Sequence, residues 1–130
     1  SGVIVMETGG MKGRRRELIR EELHAILKKA FKVDQIQSEY GMTELFSQAY
    51  ATSNGVFQPA GSMKIVLRDM NDPFDVNQKI ITGGINVIDL ANVDTCSFIE
   101  TQDIGRKNGT GIEVLGRFDN SDVRGCNLLV

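Results

Sequence analysis

With 130 residues, 41% of them hydrophobic and 25% charged, the chain has an ordinary globular composition, enough for one compact unit or two small subdomains sharing a core. A formal net charge of −2 gives no electrostatic reason to expect nucleic acid or an anionic membrane as partner. The cysteines, Cys96 and Cys126, make no disulfide framework, and residues 3–6 are too short an apolar run for a signal peptide or a span. The expectation is a cytoplasmic protein with reduced thiols and no integral membrane segment.

In chain order, residues 3–6 predict a short buried strand, followed by a flexible loop at Gly9, Gly10 and Gly13. Over residues 14–31, Ile19, Leu23, Ile26, Leu27 and Ala30 recur at helical spacing and predict an amphipathic helix. Glu17, Glu21 and Glu22 near its start and Lys28 and Lys29 near its end suit the helix dipole. Arg14, Arg15 and Arg16 oppose it, and read either as a solvated basic turn or as neighbours of an anion. A strand over 35–39 and a short helix over 43–50 complete a β-α-β-α piece. The Gly9-Gly10 loop and the Gly41 turn then fall at adjacent strand ends, where α/β sheets bind ligands.

Residues 52–61, rich in Gly, Ser, Asn and Pro, predict an exposed connection. Strands follow at 62–69 and 79–90, the second interrupted at Gly83-Gly84, with a turn at Asn71-Asp72-Pro73. A hairpin pairs 98–105 with 111–117 across Asn108-Gly109, so the glycosylation-like Asn108-Gly109-Thr110 reads as a turn. The fold class is α/β (α+β), divided into an α/β segment over 1–51 and a β-rich subdomain over 52–130.

The most informative motif is Ser38-Glu39-Tyr40-Gly41-Met42-Thr43-Glu44, a glycine turn before Thr43 and Glu44 at a predicted strand-to-helix junction. A helix N-terminus gathers unpaired N–H groups and suits a phosphate; Thr43 can cap the helix or donate to a phosphate oxygen. Glu44 can offset the dipole or hold magnesium on its carboxylate. Tyr40 can stack on an adenine face or fill the core. The lone histidine, His24, has no metal-ligand spacing and reads as structural, as does Cys96.

Together with Thr101-Gln102-Asp103-Ile104-Gly105-Arg106 and Gly116-Arg117-Phe118-Asp119-Asn120, this run resembles the adenylate-forming superfamily of acyl-CoA synthetases, luciferases and adenylation domains. Glu7-Thr8-Gly9-Gly10-Met11-Lys12-Gly13, Ser38 to Glu44 and Gly116 to Cys126 resemble more closely its acyl-protein synthetase (long-chain-fatty-acid–protein ligase) family. The resemblance covers nearly the whole chain, matched to the latter part of a family member, so a portion inactive by itself is expected. It implies an adenylate-forming α/β nucleotide-binding segment followed by a small distorted antiparallel barrel.

Activation of a fatty or other carboxylic acid as acyl-AMP, with ATP/AMP and Mg2+ as cofactors, is implied, as is an acyl-CoA reductase-like partner that receives the acyl group. The resemblance places nucleotide contacts at Gly9, Gly10, Glu39, Tyr40, Gly41, Met42 and Thr43, the ribose on Asp103, and ribose or phosphate on Arg117. Thr43 and Glu44 would act on the phosphates, with Glu44 the magnesium ligand, and Cys126 would accept the acyl group as a thioester. Gln102 stands where the superfamily has glycine, which bears on the backbone around Asp103. Alternatives are a phenylacetate-type acid–CoA ligase and a non-catalytic assembly module. A portion of a larger protein would also leave sheet edges and apolar surface uncovered, so a homo-oligomer is expected.

Overall fold

The computed structural model of the chain describes residues 2–9, 18–52 and 54–118. Gly10, Arg14, Arg15, Arg16, Asp119 and Cys126 lie outside them. The first strand, β1 (Met6–Thr8), runs parallel to β2 (Gln37–Tyr40), in the register Met6↔Gln37 to Thr8↔Glu39. Parallel neighbours need a crossover, and α1 (Arg20–Phe31) supplies it. Glu21 and Glu22 fall in its first turn and Lys28 and Lys29 in its last, as the dipole favours. Lys32 ends it in the left-handed conformation, φ 53°, its N–H donating to the Lys28 carbonyl. Leu18 and Ile19 lie outside the helix, so over the described residues it is shorter than predicted. None of its residues is fully buried; Ile26 (53% exposed) and Phe31 (57%) face solvent.

The predicted helix over 43–50 does not form. Residues 43–47 are a chain of turns leading into β3 (Ala49–Ala51), which pairs antiparallel with β2 as Tyr40↔Ala49. Outside contacts take the groups that a helix would satisfy internally. After one turn closed by Leu45 N–H on the Met42 carbonyl (3.0 Å), the N–H groups of Phe46 and Ser47 donate to the Asp89 carboxylate. Asn92 donates to the Glu44 carbonyl, and Ala60 N–H to that of Gln48. So short a helix is marginal on its own, and tertiary bonds decide.

Then come β4 (Val56–Pro59), β5 (Met63–Arg68), β6 (Thr82–Asp89), a 3₁₀ turn (Leu90–Asn92), β7 (Phe98–Asn108) and β8 (Gly111–Arg117). The described strands make one eight-stranded sheet in the order β1-β2-β3-β4-β8-β7-β6-β5, antiparallel except for β1 and β2. With one α-helix among the described residues, the fold is broadly α+β. The antiparallel stretch keeps an edge at β5. Gly83 and Gly84 do not interrupt β6 but lie inside it, beside a register shift against β7 between Gly84 and Asn86. The hairpin turn is Gly109-Thr110, one residue later than predicted, since Asn108 pairs with Gly111.

Alternation puts Met63 and Leu67 of β5, Ile85 and Val87 of β6, Phe57 of β4 and Ile112 of β8 into one buried cluster with Tyr40, Leu45, Ala49 and Ala51. The core therefore crosses residue 51. Among the described residues no helix is long and apolar enough to cross a membrane.

Candidate functional site

The parallel pairing of β1 and β2 brings their C-terminal ends side by side. Thr8 lies opposite Glu39, its hydroxyl donating to the Glu39 carboxylate at 3.1 Å. Gly9 follows β1 with φ +76° and nothing within 4 Å of a hypothetical Cβ, whereas a Cβ on Gly41 would press on Gln48 Cγ at 3.1 Å. Gly9, Glu39, Tyr40, Gly41 and Met42 thus share one end of the sheet, with Thr43 and Glu44 exposed on the adjoining turn. Because that turn opens no helix, the helix-dipole rationale for an anion at Thr43 and the capping role for its hydroxyl both fall away.

Asp103, in the middle of β7, is joined to this group through the Tyr40 side chain. It is 9% exposed and accepts the Tyr40 hydroxyl at 2.8 Å, 63 residues away in sequence. Its cross-strand partner on β8 is Arg117, whose exposed guanidinium lies 3.2 Å from the other carboxylate oxygen. The Asp103 N–H donates to Thr101 Oγ1, which donates to the Ile85 carbonyl. Gln102 sits in extended strand with its side chain exposed, and is not among the positive-φ residues, so no glycine is needed there. An ionised carboxylate accepts about four hydrogen bonds, and Tyr40 and Arg117 supply two, which leaves capacity for the hydroxyls of a diol.

The Tyr40 ring is buried and tilted against Phe57 at 6.0 Å between centroids, so its hydroxyl, not an open ring face, serves the site. Burial first, then the charge of Asp103 and the bond to it, push the phenol far above its ordinary value. Tyr40 therefore stays a donor throughout the working pH range. A raised folded-state pKa stabilises fully below the unfolded value, about 10, and that contribution is lost as pH climbs toward the folded value. The chain has two tyrosines, so Tyr50→Phe leaves Tyr40 alone. Its absorbance at 295 nm should stay that of a phenol past about pH 11, rising only with unfolding. A phenolate signal at the ordinary pH with the fold intact would contradict the bond to Asp103.

Three further residues, which no motif marks, support this end. Arg68, buried on β5, donates from Nη1 to the Ile85 carbonyl and Asn86 Oδ1, and from Nη2 to the carbonyl of Thr101, two residues before Asp103. Its guanidinium also lies 5.7 Å from the ring centroid of Phe118, beside Arg117. Asp89 and Asn92 hold the 43–47 turns. Burial pushes the Asp89 carboxyl upward, but the Ser47 hydroxyl and the N–H groups of Ser47, Phe46 and Ala91 prevail and hold it below the usual carboxylate range.

Other clusters are less promising. Nε2 of His24 lies 3.3 Å from Ser38 Oγ and 3.6 Å from Glu7, and because both partners meet the same nitrogen this is no proton relay. Cys96 is an exposed free thiol directed at the Phe98 carbonyl. Clefts of about 490 Å³, beside Tyr50 and Pro59, and about 300 Å³, beside Met63 and Lys107, contain none of the candidate residues. The converging polar groups around Asp103 are better placed for chemistry than either cleft. A scan of the chain against protein-family models and a search of curated protein sequences find no match.

Proposed function

We propose that the chain is the nucleotide-binding and acceptor portion of an adenylate-forming ligase, an acyl-protein synthetase that activates a carboxylic acid with ATP and passes the acyl group to a thiol. The observation that carries this reading is the meeting of Tyr40, Asp103 and Arg117, from three separate strands, with Tyr40 directly before the Gly41 turn. Asp103 accepts the ribose hydroxyls, with Tyr40 holding its carboxylate in place. Arg117, exposed and on the rim, can swing its planar fork from Asp103 to ribose or phosphate. The Thr43 hydroxyl donates to a phosphate oxygen. Among the described residues no three acidic, histidine or cysteine side chains gather at one point. Glu44 offers a single carboxylate, which suits magnesium carried by substrate phosphates. When bound, that ion offsets phosphate charge. In adenylation a substrate carboxylate oxygen bonds to the α-phosphorus and pyrophosphate leaves; a thiolate, assigned by resemblance to Cys126, then attacks the acyl carbon and AMP leaves.

Acid-dependent exchange of labelled pyrophosphate into ATP, measured on the full-length protein, tests this. Asp103→Ala should raise the KM for ATP and Glu44→Ala should lower kcat, each by roughly ten- to a hundredfold. Cys126→Ser should spare exchange yet abolish a hydroxylamine-labile acyl label. Normal exchange in Glu44→Ala would remove Glu44 from the mechanism, and no exchange in the wild type would refute adenylation.

A further inference from the structure

The 43–47 turns are gripped from one side by two neighbouring side chains, one at the end of β6 and one in the 3₁₀ turn after it. Asp89 is 0% and Asn92 2% exposed, so neither can touch a ligand. Asp89 receives the N–H groups of Phe46 (2.8 Å) and Ser47 (2.9 Å) on one oxygen, and the Ser47 hydroxyl (2.6 Å) and Ala91 N–H (3.1 Å) on the other. Asn92 Nδ2 donates to the Glu44 carbonyl at 2.7 Å and the Cys96 carbonyl at 2.9 Å, while its Oδ1 accepts the Thr95 hydroxyl. Between these holds, Leu45 is buried in the core. Donors and acceptors of the turn are thus fixed on its inner side, and the side chains of Thr43 and Glu44 are left exposed on the outer one. A backbone pinned in this way presents its free side chains in one direction, as a binding site requires of its supporting shell.

We propose that Asp89 and Asn92 are positioning residues that set the Thr43–Glu44 turn to receive phosphate-borne magnesium; this role rests on the nucleotide-activating function proposed above. The chemistry at position 92 is specific. Two carbonyls need a donor there and one hydroxyl needs an acceptor, which an amide satisfies at both ends. Aspartate has the same shape but would set acceptors against the Glu44 and Cys96 carbonyls. Asn92→Asp therefore releases the turn at Glu44 while leaving Asp103, Tyr40 and Arg117 in place.

Calorimetric titration of the full-length protein with MgATP and, separately, with adenosine tests the role without reference to turnover. Adenosine depends on the Asp103 end alone, and MgATP on both ends. Asn92→Asp should weaken MgATP about ten- to a hundredfold, as loss of an outer-shell partner of a metal ligand does, and leave adenosine affinity unchanged. Thr95→Val, a milder change that removes only the hydroxyl orienting the Asn92 amide, should move the same ratio in the same direction. Leu67→Ala, a core truncation on β5, lowers stability and should leave the ratio where it was. If both ligands weaken equally in Asn92→Asp and Thr95→Val, or neither weakens, Asn92 is merely structural and the positioning role is overturned. A wild-type protein that binds neither adenosine nor MgATP overturns the nucleotide reading itself, and this role with it.

Discussion

Arg68→Met is expected to cost about 2–4 kcal/mol of folding stability, because it withdraws donors from the buried carbonyls of Ile85 and Thr101 and from the half-buried Asn86 Oδ1. Methionine replaces the length of the side chain but not its donors. The Thr101 carbonyl and Asn86 Oδ1 lose the Arg68 bonds of 2.8 Å and 2.7 Å, while the Ile85 carbonyl keeps the Thr101 hydroxyl. The ion pair with Glu100, 3.2 Å away, adds little, since Glu100 is largely exposed. Space for the guanidinium comes from Gly84, where a Cβ would sit 2.5 Å from Arg68 Cζ and 2.7 Å from Nη1. Gly84→Ala should therefore evict the guanidinium and cost nearly as much. In a double-mutant cycle by urea denaturation, Gly84→Ala should cost far less on the Arg68→Met background than on the wild type. Additive losses would separate the glycine from the arginine. Because Arg68 holds the carbonyl of Thr101 and lies over Phe118, both variants should also loosen the Asp103–Arg117 pair.

How much could be read beforehand follows from the range of each interaction. The β7–β8 hairpin and α1 were legible, the first from alternation around a glycine turn and the second from apolar spacing. Each is determined by residues within a few positions. Residues 43–50 carried the same local signal for a helix, and it failed because Asp89 and Asn92, more than 40 positions downstream, bind the backbone first. Gly83-Gly84 looked like a break in a strand. In the sheet the second glycine is a clearance for Arg68, which nothing in the local sequence foretells. The same rule divides the site. Tyr40, Asp103 and Arg117 were singled out because they lie in the strings that carry the family resemblance. That the Tyr40 hydroxyl would meet Asp103, with the ring turned inward to Phe57, depends on how the sheet brings β2 to β7. Asp89 fell within the strand predicted over 79–90, where nothing local marked it. Its grip on Ser47 was invisible.

Asp89→Asn is the second large effect expected, about 2–4 kcal/mol for an isosteric change. Each carboxylate oxygen accepts two donors, so an amide turned one way sets its NH2 against the Phe46 and Ser47 N–H groups, and turned the other way sets it against the Ala91 N–H and forces the Ser47 hydroxyl to turn to Ser62. Neither orientation is satisfied, and the wrong pairing has no surface through which water could relieve it. The loss should depend on pH in one direction. These bonds depress the folded-state pKa of Asp89, so their stabilisation is fully present above the unfolded value, about 3.9, and fades as pH falls through the lower folded value. The wild type therefore loses this contribution on acidification, whereas Asp89→Asn lacks it at every pH. Unfolding free energies should differ most near neutrality, and the gap should narrow below about pH 4. Urea denaturation at pH 7 and pH 3 measures it. A gap of equal size at both would mean that shape, not the ionised carboxylate, holds the 43–47 turns against the sheet.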